Sequence, residues 1–103
     1  MAYSVRLIPE AAKDFAELDK SIQLQIAVKI EKLCNNPLLG DPLGHKYGID
    51  LTGFYKLYAV KKKYRIVYRL IGETIELIEI VGIGKRDKEE IYRILGKRAK
   101  GAP

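Results

Sequence analysis

The segment Tyr55–Leu70, YKLYAVKKKYRIVYRL, gathers Lys56, Lys61, Lys62, Lys63, Arg65 and Arg69 among four tyrosines. These residue types suit phosphate. Arginine offers a planar fork of donors that holds two oxygens at once, whereas lysine acts as a point charge. Tyrosine adds a hydroxyl and a ring face on which a base can stack. A second stretch, GIGKRDKEEIY, brings Arg86 and Tyr92. Other chemistries are excluded by composition. His45 is the only histidine and Cys34 the only cysteine, so neither a His/His acid–base pair nor a structural zinc site can be assembled. An intrachain disulfide is impossible for the same reason. Acidic residues do not cluster as a metal cage would require, and the glycines of GIGK satisfy neither GxGxxG nor GxxxxGK[ST]. No cofactor and no metal are expected.

Charge distribution sharpens this reading. Residues 1–40 carry five Lys/Arg against five Asp/Glu, and residues 41–103 carry fourteen against eight, so the whole net charge of +6 lies in the second part. A surplus placed this way points to a polyanionic partner, nucleic acid or an acidic protein. A chain of 103 residues is expected to form one domain, burying roughly 60–70% of its unfolded surface. The expected domain spans residues 1–98, with residues 99–103 as a disordered tail. Lacking a secretory pattern or an apolar run of about 18 residues, the sequence reads as cytoplasmic, with no membrane partner.

The elements that must position these residues follow from periodicity. AYSVRLI alternates as a first strand that Pro9 ends. Pro9-Glu10 opens a helix, because proline fits the first turn and glutamate the positive dipole end, with Ala11, Phe15 and Leu18 as its apolar stripe. Asp19 or Ser21 caps a second helix, in which Ile22, Ile26, Ile30 and Leu33 recur at helical spacing and Gln23, Lys29 and Lys32 face water. Cys34 in that run reads as a small buried hydrophobe. NNPLLGDPLGHKYG then forms the longest loop, and His45 within it has no expected role. Three strands follow, near 54–60, 63–71 and 74–83, the last two joined by IGET with Gly72 at positive φ. A final helix is expected from Asp87 to Lys97, Asp87 and Glu90 forming a capping box. The order β-α-α-β-β-β-α predicts a compact α+β domain, an antiparallel sheet with helices packed on it.

Register decides whether the basic residues act together. An even hairpin loop sets Tyr58 across from Arg65 and Lys56 across from Val67, on one face. An odd loop would place Arg65 among core residues opposite Lys56, at the cost of burying its charge. The even register is therefore expected. A meander strand pairing beside the hairpin allows Arg86, at its end, and Tyr92, in the last helix, to meet the same face.

The residues FYKLYAV…YRIVYRL, followed by VGIGKRDKEEIY, resemble the RelE/ParE superfamily of toxins from toxin–antitoxin pairs. The basic hairpin and the GKR…Y ending are most similar to the RelE branch, and PEAAKDFAELD and the overall length extend the likeness over nearly the whole chain. The resemblance implies a ribosome-dependent endoribonuclease that cuts mRNA in the decoding site by attack of the RNA's own 2′-hydroxyl. It also implies a cognate RelB-like antitoxin, with operator DNA reached through the antitoxin complex. On that matching, Lys56 is a catalytic lysine and Arg65 the arginine that grips the phosphate. Arg86 and Tyr92 flank the scissile phosphate on its other side. Tyr58 departs from the pattern, standing where the RelE branch commonly has a second lysine. Tyr58 and Lys61, Lys62 and Lys63 are assigned to RNA binding. Two other readings stay open: a ParE-like toxin that inhibits DNA gyrase without nuclease activity, and a non-catalytic RNA-binding module. For each residue there is also a plain structural reading, as a solvated strand cation, a salt-bridge partner or a packing aromatic.

Overall fold

The computed structural model describes residues 3–46 and 48–85. Ser4–Leu7 is β1, and Ile8 leads from it into helix α1, Pro9–Ala16, where Pro9 occupies the first turn and Glu10 sits at the positive dipole end. Helix α2, Lys20–Asn35, begins after Asp19. Asp19 holds the cap position with its carbonyl, which accepts from Gln23 N at 2.9 Å, and not with its side chain. The remaining elements are β2 (Asp41–Lys46), β3 (Ile49–Ala59), β4 (Tyr64–Ile71) and β5 (Leu77–Lys85). The expected α+β class holds, and the expected elements over these residues appear in their order with one strand, β2, added. The expected helix Asp87–Lys97 and the tail lie outside the described residues.

The five strands form one sheet in the order β1-β5-β4-β3-β2. Two features differ from the sequence expectation. The sheet is mixed: β2 to β5 pair antiparallel, but β1 lies parallel to β5. Parallel pairing needs a crossover between the strands, and α1 with α2 supplies part of one. The other difference is β2, which falls inside the segment read as a long loop. Pro42 and Gly44 disguise it, and the ladder is irregular between them. Its start is fixed from the core. Tyr68 Oη donates to Pro37 O at 2.9 Å and accepts from Gly40 N at 2.8 Å. A Cβ at Gly40 would stand 2.6 Å from Lys56 O and 2.7 Å from Tyr68 Oη, so only glycine lets the chain enter β2 this closely.

Alternation divides the sheet faces. Ala11, Ile26 and Leu33 of the helices join Leu57, Ile66, Tyr68, Ile78, Ile80 and Ile83 in a single core. Tyr55 stacks on Tyr68 with ring centroids 5.4 Å apart. Gln23, read as a water-facing residue, instead donates to Phe15 O at 2.9 Å and closes the end of α1. Cys34 is partly exposed and is not fully buried as its position suggested. Asp14 reaches from α1 to accept from Ile83 N at 3.2 Å, beyond the point where β1 stops pairing with β5. Lys56, Tyr58, Arg65, Val67 and Arg69 belong to the face turned away from α1 and α2.

Candidate nucleic-acid interface

The hairpin has the even register. Tyr58 pairs with Arg65 and Lys56 with Val67, and Ala59 pairs with Tyr64 across a four-residue loop, Val60–Lys63. Lys63 N donates to Val60 O at 3.0 Å to close it. Along β3, residues i and i+2 share a face, and Lys56 Nζ donates to Tyr58 Oη at 3.1 Å. The ammonium also lies 5.0 Å from the centre of the Tyr58 ring, a cation–π distance. One strand thus holds a lysine and a tyrosine as a unit, with Arg65 opposite the tyrosine.

Arg65 is only 4% exposed, although the even register spares it the apolar core. Part of its surroundings comes from the next strand. Arg65 pairs with Gly84 on β5, and a residue without a side chain leaves room for the guanidinium to lie across the sheet. Its Nη2 donates to Lys85 O at 3.2 Å. A similar gap stands beside Val67, whose β5 partner is Gly82. The two glycines of GIG therefore provide lateral space on this face. A shift in register follows immediately, between Val67 and Tyr68, and such bulges re-aim neighbouring side chains.

Lys61, Lys62 and Lys63 are exposed at the hairpin tip. Val60, Lys61 and Lys62 all take left-handed φ, 54°, 54° and 65°. Arg86 and Tyr92 lie outside the described residues. The structure therefore brings together Lys56, Tyr58 and Arg65 and puts the three lysines at one end of the group. It adds two residues that sequence reasoning missed. Asp41 pairs with Lys56 across β2 and β3, and Asp41 and Lys29 join Lys56, Tyr58, Lys61 and Lys62 around a cleft of about 320 Å³. Asp41 was hidden by the misread β2, and Lys29 by its polar position on α2. His45 lies 3.9 Å from Asp50 at the far end of the β2–β3 pair, apart from this group.

The family model for the ParE toxin of type II toxin–antitoxin systems matches residues 5–90. The chain belongs to that family. An Escherichia coli protein described as a RelE-like toxin is 33% identical over 103 residues, spanning 97% of this chain and 100% of its own. Among solved structures, the free Escherichia coli toxin RelE, in a mutant form, superposes with a TM-score of 0.75 at 24% identity, over 95% of this chain and 98% of its own. A chain of the toxin–antitoxin complex RelBE2 of Mycobacterium tuberculosis gives 0.64 at 27% identity, over 84% of this chain and 100% of its own. The protein is a RelE-like toxin within the RelE/ParE superfamily.

At the end of the face that carries Lys56, Tyr58 and Arg65, these three are two cationic donors and one hydroxyl that can both donate and accept, with Asp41 paired beside Lys56. Such a set binds an anion and stabilises developing negative charge. Among the described residues, no three His, Cys, Asp or Glu side chains come together as ligands. Among them, too, no helix is long and apolar enough to cross a membrane.

Proposed function

We propose that this toxin is a metal-independent endoribonuclease that cleaves mRNA in the decoding site of the ribosome. The observation that carries the reading is the register-fixed group of Lys56, Tyr58 and Arg65, with Lys56 bonded to Tyr58 at 3.1 Å. The 2′-hydroxyl oxygen attacks the adjacent phosphorus, the P–O5′ bond breaks, and the leaving oxygen takes up a proton. The products are a 2′,3′-cyclic phosphate and a 5′-hydroxyl. Arg65 grips the non-bridging oxygens of the pentacoordinate intermediate. Lys56 and Tyr58 sit on the side of the attacking oxygen, the lysine a weak base at best and the phenol a relay. Arg86 stabilises the leaving oxygen, and Tyr92 stacks on a base or steadies the phosphate. Lysine, arginine and tyrosine are poor acids and bases at neutral pH. A site built from them depends on a substrate already oriented, which a ribosome provides.

The proposed neutralising partner is a RelB-like antitoxin, since solved relatives include RelE–RelB complexes from Escherichia coli and Pyrococcus horikoshii. It would carry negative charge and cover the Lys56/Arg65 face, and operator DNA would be reached through that complex. Primer extension on a translated mRNA, with purified toxin and with or without ribosomes, tests the reading. Cuts at codons only when ribosomes are present support it. A second reading has its own support, because the matching family model is that of ParE toxins. Inhibition of DNA gyrase supercoiling, with mRNA left intact, would favour that alternative.

A further inference from the structure

Attack by a 2′-hydroxyl needs an acceptor for its proton. At neutral pH lysine is ordinarily a cation and a phenol ordinarily neutral, so neither Lys56 nor Tyr58 is suited to that task. Asp41 stands beside them. It is the first residue of β2, the edge strand of the sheet, and it pairs with Lys56 of β3. Residues directly opposite in an antiparallel ladder share a face and lie side by side. Beyond that pair, residues 57–59 of β3 run without a partner in β2, and the cleft of about 320 Å³ opens at this free edge. Asp41, Lys56 and Tyr58 all line it, and among the described residues Asp41 is its only carboxylate.

The place of Asp41 is set from the core. Tyr68 Oη accepts from Gly40 N at 2.8 Å and donates to Pro37 O at 2.9 Å. A Cβ on Gly40 would stand 2.6 Å from Lys56 O, so the backbone just before Asp41 lies tight against that of Lys56. Asp41 is thus carried on a braced backbone while remaining exposed to an incoming substrate. The groups around it are Lys56 and Tyr58 on β3, Lys29 on α2, and Lys61 and Lys62 in the hairpin loop. A carboxylate that only balanced these cations would weaken the hold on RNA, since each uncompensated ammonium neutralises a phosphate. Its position against the attacking side of the site calls for a different role.

We propose that Asp41 is the proton acceptor of the cleavage step. As the 2′-oxygen forms its bond to phosphorus, its proton passes to a carboxylate oxygen of Asp41. The P–O5′ bond breaks, the 5′-oxygen takes a proton from water, and Asp41 returns its own proton to water. Lys56, beside it, faces the negative charge that builds on the phosphate. The inference rests on the cleavage reading given above and adds to it a residue which that reading does not use.

The test is single-turnover cleavage of mRNA on programmed ribosomes between about pH 6.5 and 8.5, where carboxylates are ordinarily ionised and lysines ordinarily protonated. Asp41→Asn should lose roughly 10²–10⁴-fold of the rate at neutral pH. Its rate should then climb about tenfold per pH unit as hydroxide replaces the missing base, whereas wild type should rise far less steeply. Asp41→Ser, also without a carboxylate, should fall equally, and Asp41→Glu should recover most of the loss. Asp19→Asn makes the same charge change at an exposed side chain with no capping bond and should behave as wild type. Urea unfolding of each variant accompanies the assay. A folded Asp41→Asn that cleaves as fast as wild type, or faster, makes Asp41 a counter-charge and overturns the proposal. A slowed Asp41→Asn that keeps the wild-type pH profile makes it a spacer for Lys56 and equally overturns it. Both outcomes leave the cleavage reading in place. Wild type that leaves mRNA whole on ribosomes removes that reading and this inference with it.

Discussion

The two ends of the sheet face turned away from the helices use the same residue types to opposite effect. At one end Glu79 pairs with Arg6 on β1 and Arg69 on β4. Its carboxylate accepts from Arg6 Nη2 at 2.5 Å and from Arg69 Nε at 2.7 Å, and Arg69 lies over the Phe54 ring at 5.8 Å. At the other end stand Lys56, Tyr58 and Arg65, and among the described residues no ion pair involves Lys56. An arginine in a hairpin strand is thus no sign of function by itself. Arg65 and Arg69 are four residues apart on one strand and one face. Arg69 is neutralised by the buried Glu79 carboxylate, whereas Arg65 donates to an uncharged acceptor, the Lys85 carbonyl.

The contrast breaks most directly at Arg65. Arg65→Ala should lower ribosome-dependent cleavage by roughly 10²–10³-fold, the usual cost of one charge-stabilising donor, and should relieve growth arrest. Arg65→Lys keeps the charge but loses the two-pronged grip, and should lose most of the rate as well. Because Arg65 is buried, urea unfolding of both variants must accompany the assay. Full activity in folded Arg65→Ala would make Arg65 a scaffold residue of the Arg69 kind.

At the scaffold end the expected loss is of stability. Glu79→Gln removes the carboxylate between two guanidinium groups and should cost about 3 kcal/mol, the low end for breaking a buried pair, since a largely exposed partner contributes little. Arg6 is that partner, with its side chain 60% exposed. Cleavage per folded molecule should hardly change. A large loss of activity at full stability would mean that the two ends are coupled.

Acid sharpens the same comparison. Burial pushes the Glu79 carboxyl up, but hydrogen bonds and charge from Arg6 and Arg69 outweigh it and hold the group below the usual carboxylate range. The folded protein therefore binds fewer protons here than the unfolded chain. This stabilisation is complete above the unfolded value of about 4.3 and is lost as pH falls through the lower folded value. Asp50 is also held low, by hydrogen bonds from Thr52, and contributes in the same direction. The difference between wild type and Glu79→Gln in urea midpoint, followed from neutral to acid pH, isolates Glu79 and should shrink on acidification. A constant difference would locate the effect of Glu79 in packing and not in charge.

How much of this was readable from sequence depended on range. The hairpin register followed from alternation together with the cost of placing Arg65 among the core residues. Helix α1 followed from Pro9-Glu10 and its apolar spacing. What sequence hid was everything set by a distant partner. Strand β2 exists because Tyr68, 28 residues on, bonds Gly40 N, and no local pattern in DPLGHK announces it. The parallel β1–β5 pair joins the two ends of the described chain. Arg65 stands opposite Gly84, a fact of pairing invisible in either segment alone. Arg69 shares a strand and a face with Arg65, and its carboxylate partner Glu79 comes from the neighbouring strand.

The smallest effect is expected at Tyr58, and it sharpens the comparison from within the reactive end. Its hydroxyl accepts from Lys56 Nζ at 3.1 Å while its ring lies 5.0 Å from the same ammonium. Tyr58→Phe removes the first contact and keeps the second, so cleavage should fall only about three- to tenfold, the scale of one hydrogen bond. Tyr58→Lys restores the second lysine common in the RelE branch. It places another ammonium two residues from Lys56 on the same face, which tightens the hold on phosphate and should preserve or raise the rate. Single-turnover cleavage on programmed ribosomes measures both. If folded Tyr58→Lys is inactive, the hydroxyl carries a proton that an ammonium cannot, and Tyr58 is a catalytic replacement for the lysine and not merely its spatial equivalent.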